Sequence, residues 1–253
     1  MAYRFTRDWF SHNIPGWQRW LAHLLGKPGL RALEIGSFEG RATTWLLENV
    51  LTDETSRIDC IDPFDKDYYR RFLANIKPWR HRVTVHRATS TAVLPTLGDA
   101  FDVIYIDGDH RPFAILSDAV LSWPRLKVGG TLIFDDYLFV PHEFDRQLNK
   151  EWSKEVALAQ IAEHPALCPK TAIDGFLAAM TDQYDLLGQG YQLALRKRAE
   201  TGDDLSSLTF ASVPEDHASR ASQPKRPRKA KPKTKAKTQS KAKRGRRPLL
   251  RMR

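Results

Sequence analysis

The sequence holds only two cysteines, Cys60 and Cys168. Neither belongs to a CxxC pair or to a metal-ligand spacing, which argues against a thiolate metal site and against a disulfide scaffold. No stretch approaches the roughly 18 consecutive apolar residues of a membrane-spanning helix. The opening MAYRFTRDWFSHN contains no apolar run of the kind a secretory signal needs. A cytoplasmic protein with reduced thiols is the expectation. There is no internal repeat.

What is present is an ordinary globular composition, 42% hydrophobic and 28% charged over 253 residues, enough for one domain with a sizeable core. The net charge of +10 is unevenly spread. Residues 214–253 carry 16 Lys and Arg against Glu215 and Asp216, so the remainder of the chain is mildly acidic. From residue 201 onward the apolar pattern dissolves. The segment 201–253, rich in Lys, Arg, Pro and Ala, cannot bury enough apolar surface to offset its ordering entropy, and a disordered tail is expected there. Its basic run 225–247 attracts a polyanion, nucleic acid or acidic polymer, through counterion release. No aromatic interrupts that run, so base stacking is not supported. A solubilising tail without a specific partner accounts for it equally well.

Before residue 201 the pattern is orderly. Residues 1–28 read as an N-terminal helical cap, with Pro15-Gly16 dividing its helically spaced stretch 8–26 into two pieces. Residues 29–200 alternate short apolar runs with helical periodicity. Strands are expected at Leu30–Ile35, Arg57–Ile61, Val83–His86, Phe101–Ile106 and Thr131–Phe134. Helices are expected at Thr43–Leu51, Tyr68–Ile76, Phe113–Leu126 and Ile173–Met180. Residues 138–170 break the alternation and read as a substrate-side insertion. Asp185–Leu187 and Gln192–Arg196 flank Gly188-Gln189-Gly190 as a closing hairpin. The alternation indicates an α/β fold, a parallel sheet with helices on both faces.

The first strand runs into LEIGSFEG. Strand, glycine turn and helix together direct backbone N–H groups at a ligand. A dinucleotide site would have a second glycine where Phe38 stands. Glu34 and Glu39 bracket the turn, repelling a pyrophosphate but suiting a cation such as the sulfonium and ammonium of S-adenosylmethionine. Asp62 ends the second strand, where it can accept bonds from ribose hydroxyls.

LEIGSFEGRAT resembles the first motif of class I S-adenosylmethionine-dependent methyltransferases. With YIDGDH at 105–110, Asp118, and WPRLKVGGTLIFDDY at 123–137, the stretch from Leu33 to Tyr137 is similar to the "methyltransferase domain 24" families. It resembles in particular the bacterial metal-dependent sugar and small-molecule O-methyltransferases. The resemblance implies a Rossmann-like seven-stranded sheet whose last strand is antiparallel. It implies cofactor contacts from Glu34, Gly36, Ser37, Gly40, Asp62 and Asp107, with the adenine against Ala88-Thr89-Ser90. Two positions depart from the family pattern: Ala42 stands where Ser or Thr is common, and Pro112 where Tyr is.

Asp107, Asp135 and Asp136 close neighbouring strands, so their carboxylates should converge on one rim. Three unneutralised carboxylates cannot all stay charged there, and a divalent cation resolves the conflict. Oxygen ligands favour Mg²⁺, Mn²⁺ or Ca²⁺. The relatives bind such a metal through positions matching Asp107, Asp135 and Asp136. The solvated strand-end cap is the alternative. For a general base the candidates are Asp107, His110 and His142. His12, His23, His81, His86, His164 and His217 have no partner spacing. Trp17, Trp20 and Trp123 read as packing residues.

The expected activity is therefore metal-assisted O-methylation of a hydroxylated small molecule or sugar. Three rivals remain at this point: a methyltransferase recruited to a polyanion by the tail, a non-catalytic binding module on the same fold, and a nicotinamide oxidoreductase.

Overall fold

The computed structural model describes residues 3–98, 100–141 and 153–199. Seven strands form one sheet: β1 (Arg31–Ile35), β2 (Arg57–Ile61), β3 (Val83–His86), β4 (Phe101–Ile106), β5 (Leu126–Phe134), β6 (Tyr184–Gln189) and β7 (Leu193–Lys197). Their order across the sheet is β3-β2-β1-β4-β5-β7-β6. The first five pair in parallel, and β7 runs antiparallel to both β5 and β6. This is the expected α/β sheet with an antiparallel last strand.

The helices are α1 (Ile14–Trp20), α2 (Arg41–Asn49), α3 (Lys66–Asn75), α4 (Ser90–Val93), α5 (Pro112–Ser122), α6 (Lys154–Glu163) and α7 (Pro169–Ala179). Successive strand residues point to opposite faces, and the sequence fills both with apolar side chains. Leu33, Ile35, Ile104, Ile106, Leu132 and Phe134 pack on one face with Ile115, Trp123 and Phe176. Ala32, Ile58, Cys60, Val103, Tyr105 and Ile133 pack on the other with Trp17, Leu46 and Phe72. Trp17 and Trp123 are thus core residues, and both cysteines are free and buried.

Three local expectations are corrected. Pro15 lies in the first turn of α1 and does not split the helix. Proline fits there because the first N–H groups of a helix have no internal partner. The helix expected to reach Leu126 ends at Ser122, followed by a single 3-10 turn at Trp123–Arg125 that contains Pro124. Proline cannot continue an α-helix. β5 then starts at Leu126, ahead of the expected Thr131, and runs through Gly129-Gly130. Of the expected insertion, residues 138–141 and 153–170 are described, among them α6 and the first two residues of α7. Residues 142–152 and the tail 200–253, including His142, lie outside the described residues.

Candidate active site

The C-terminal ends of β1, β4 and β5 lie side by side, so the motifs that follow them share one rim. The turn after β1 is tightly fitted to β4. A Cβ on Gly36 would stand 1.8 Å from the Asp107 carbonyl oxygen, and Gly36 has φ +88°. Only glycine satisfies both conditions. Phe38, at φ +45°, holds the loop in the left-handed region. Asp62, at the end of β2, receives the Phe38 N–H at 2.9 Å on Oδ2 and the Phe64 N–H at 2.6 Å on Oδ1. It therefore fixes the loop against the second strand and keeps one lone pair on each oxygen.

The two glutamates of the loop take different surroundings. Glu34 pairs in register with Cys60 and Tyr105, on the sheet face covered by α2. It is buried beneath the loop, accepts the Thr43 hydroxyl, and burial pushes its carboxyl up to about 7. Its Oε1 and the Ser37 hydroxyl are buried without an aligned hydrogen-bond partner. Glu39 is fully buried and occupied elsewhere. It takes the Thr6 N–H and hydroxyl and the Arg71 guanidinium, the last at 3.0 Å. The charge that was to attract a sulfonium is spent tying the N-terminal segment to α3. Gly40 precedes α2, whose Thr43 hydroxyl bonds Glu34.

On the far side of the rim, Thr89 is exposed at the start of α4 and Ser90 is partly buried. Behind them, Asp118 on α5 is 2% exposed, and burial pushes its carboxyl up to about 6 despite a bond from Ser90. Pro112, the other departure from the family pattern, opens α5 at its first turn.

The acidic cluster sits between these regions. Tyr105 Oη donates to Asp107 Oδ2 at 2.8 Å and also reaches Asp135 Oδ2. One hydroxyl hydrogen cannot serve two carboxylates at once. Burial and the neighbouring charges of Asp135 and Asp136 hold the Asp107 carboxyl well above the usual range. Burial, then Asp136, push Asp135 up to about 6. Asp136, at φ +56°, receives the Tyr191 hydroxyl at 2.6 Å on Oδ1 and His110 Nε2 at 2.9 Å on Oδ2. Burial opposes charge on His110, but the bond and the charge of Asp136 outweigh it and raise the imidazole's basicity.

The convergence differs from the three expected aspartates. The groups whose ligand atoms lie within 4.8 Å of one another are Asp107, His110 and Asp136. Asp135 is bonded within the cluster, Oδ2 to Tyr105 and Oδ1 to the Asp136 N–H at 2.8 Å. Tyr105 and Tyr191 are the members that sequence reasoning missed. Tyr105 was readable, since positions two apart on a strand share a face and Asp107 follows by two. Tyr191 was not, because only the pairing of β7 with β5 brings the hairpin to Asp136.

Comparison with known proteins agrees with this architecture. Residues 33–137 match the model of a methyltransferase-domain family. An uncharacterized protein of Acanthamoeba polyphaga mimivirus is 28% identical over 123 residues, covering 46% of this chain and 56% of that protein. The chain thus spans little more than half the length of that curated relative. A Clostridium thermocellum protein described as an rRNA methylase shares the fold with a TM-score of 0.55, at 10% identity, over 78% of this chain and all of the other. A Klebsiella pneumoniae protein described as an O-methyltransferase does so at 0.54 and 16% identity, over 77% of this chain and 84% of the other. A Streptococcus mutans protein described as a methyltransferase, in complex with S-adenosylhomocysteine, does so at 0.50 and 12% identity, over 78% of this chain and 99% of the other. The stretch from Leu33 to Tyr137 thus matches a methyltransferase-domain family, and the sheet built around it has the Rossmann-like methyltransferase fold.

Proposed function

We propose that the chain transfers a methyl group from S-adenosylmethionine to a hydroxyl oxygen of a small molecule, with a divalent cation assisting at the rim. The observation that carries this reading is the convergence of Asp107, His110 and Asp136 beside the Gly36 loop.

The residues fit both groups. Asp62 retains acceptor capacity for two ribose hydroxyls after its two backbone bonds. The Gly36–Gly40 turn leads into α2, so its N–H groups lie at a helix N-terminus. Thr89 and Ser90 border the position assigned to the adenine. For the cation, Asp107 and Asp136 would supply the oxygens, and a positive charge would relieve the repulsion that now raises Asp107 and Asp135. Such a cation, if bound, would lower the pKa of a coordinated hydroxyl and so ease its deprotonation.

The protein's own residues do the rest. Asp136 fixes the His110 ring through Nε2, leaving Nδ1 as the atom that accepts the acceptor's proton. Tyr191 steadies the other oxygen of Asp136, and Tyr105 steadies Asp107. The freed oxygen attacks the methyl carbon in line with its sulfur, so the protein contributes positioning and charge stabilisation. A second reading makes His110 the third cation ligand, favoured by the same convergence. The basic run 225–247 is assigned no step in either reading.

The test is methyl transfer from isotopically labelled S-adenosylmethionine to a panel of vicinal diols, with Mg²⁺ and with EDTA. Transfer with Mg²⁺ that EDTA abolishes is the expected result. Full transfer in EDTA removes the cation from the reading, and transfer to RNA alone removes the small-molecule acceptor.

A further inference from the structure

We infer that the cleft between α1 and the β6–β7 hairpin seats the acceptor, and that Arg19 selects acceptors carrying an anionic group. This rests on the methyl-transfer reading above and names the class of molecule it would act on.

The cleft has a volume of about 410 Å³. That lies within the roughly 300–1,000 Å³ of small-molecule pockets and suits a single sugar or phenol ring. Its α1 side presents His12, Arg19 and Trp20, and its hairpin side presents Gly188, Gln189 and Tyr191. The two sides are fitted to each other. A Cβ on Gly188 would stand 2.5 Å from Trp20 Nε1, so glycine there lets the indole lie directly on the strand.

The cleft is polarised. Tyr191 gives its hydroxyl to Asp136 at 2.6 Å, so one wall lies a single side chain from the acidic rim. On the other wall Arg19 is exposed, and no ion pair holds it among the described residues. A molecule with hydroxyls at one end and an acidic group at the other is oriented by this field, hydroxyls toward Asp136 and anion toward Arg19. The reversed orientation is opposed by the carboxylates. The guanidinium fork matches a carboxylate or a phosphate, while Trp20 and Tyr191 offer aromatic surface to the ring between.

The test is calorimetric titration of the full chain, saturated with S-adenosylhomocysteine. The probes are 3,4-dihydroxybenzoate against its methyl ester, and glycerol 3-phosphate against glycerol. At least one acid should bind about tenfold more tightly than its neutral counterpart, in line with a charge-assisted bond of about 1.4 kcal/mol or more. Which acid does so tells carboxylate from phosphate. Arg19→Gln, at an exposed position, should abolish that preference. Acids that bind no better than their neutral counterparts, or a preference that survives Arg19→Gln, overturn the proposal. A methyl-transfer assay on the same probes reads the underlying activity separately. Acid binding that depends on Arg19 without any methyl transfer sustains the anion site and contradicts the catalytic reading.

Discussion

The carbonyl oxygen of Asp107 occupies the space that a side chain on Gly36 would need, 1.8 Å from the Cβ position. The contact joins the two central strands where both enter the rim. Gly36→Ala must push the ends of β1 and β4 apart and also strain a backbone at φ +88°. The expected cost is on the order of 3 kcal/mol, from overpacking together with the left-handed penalty. Urea denaturation reads the loss of stability, and cofactor titration should show no binding in whatever fraction still folds.

Glu39 supplies a contrasting case. Its buried carboxylate holds Thr6 and Arg71 and faces away from the rim. Glu39→Gln should lower stability by about 2 kcal/mol, less than a fully buried pair because Arg71 is partly exposed. The affinity for S-adenosylmethionine should change by less than about threefold, under 1 kcal/mol. A large loss of affinity with unchanged stability would return Glu39 to the cofactor site.

These two positions show what the sequence made legible. Most strands were readable because they are short apolar runs, those at Ile35, Ile61 and Ile106 closed by glycine or aspartate, and Arg57–Ile61, Val83–His86 and Phe101–Ile106 lie where the pattern predicts. Gly36 was readable because a turn between a buried strand and a helix needs its conformation. The direction of a charge was not readable. Glu34 and Glu39 sit beside the cofactor loop in the chain, yet strand alternation turns one under α2 and the N-terminal segment captures the other. Likewise, Asp107, Asp135 and Asp136 predicted a ligand set, whereas the ligand atoms that lie closest together are those of Asp107, His110 and Asp136.

That exchange is testable by Mn²⁺ binding, read from the electron paramagnetic resonance of the free ion. Asp107→Asn and Asp136→Asn should each weaken Mn²⁺ by about tenfold or more, and Asp135→Asn by much less. His110→Ala should stop methyl transfer while retaining Mn²⁺. Loss of Mn²⁺ in His110→Ala would make the imidazole a ligand and not the base.

Asp118 predicts a pH dependence of stability. Burial raises its folded-state carboxyl from 3.8 to about 6. The folded state therefore binds this proton more tightly than the unfolded chain. That advantage is complete below about pH 4 and is lost as pH rises through about 6. At neutral pH the ionised, buried group is a net cost. Asp118→Asn should thus stabilise the protein by about 3 kcal/mol at pH 7, since each tenfold change in proton affinity is worth about 1.4 kcal/mol. The gain should vanish near pH 4. Denaturant midpoints from pH 4 to 8 check it, and a difference independent of pH would exclude ionisation as the cause.

The central claim is that the loop from Leu33 to Gly40 holds S-adenosylmethionine. Calorimetric titration of the full chain with S-adenosylmethionine and, separately, with NAD tests it most directly. The account predicts one site for S-adenosylmethionine, weakened about tenfold or more by Asp62→Ala as charge-assisted ribose bonds are lost. No heat is expected with NAD. Binding of NAD at this site, or no binding of S-adenosylmethionine by the folded protein, would contradict it.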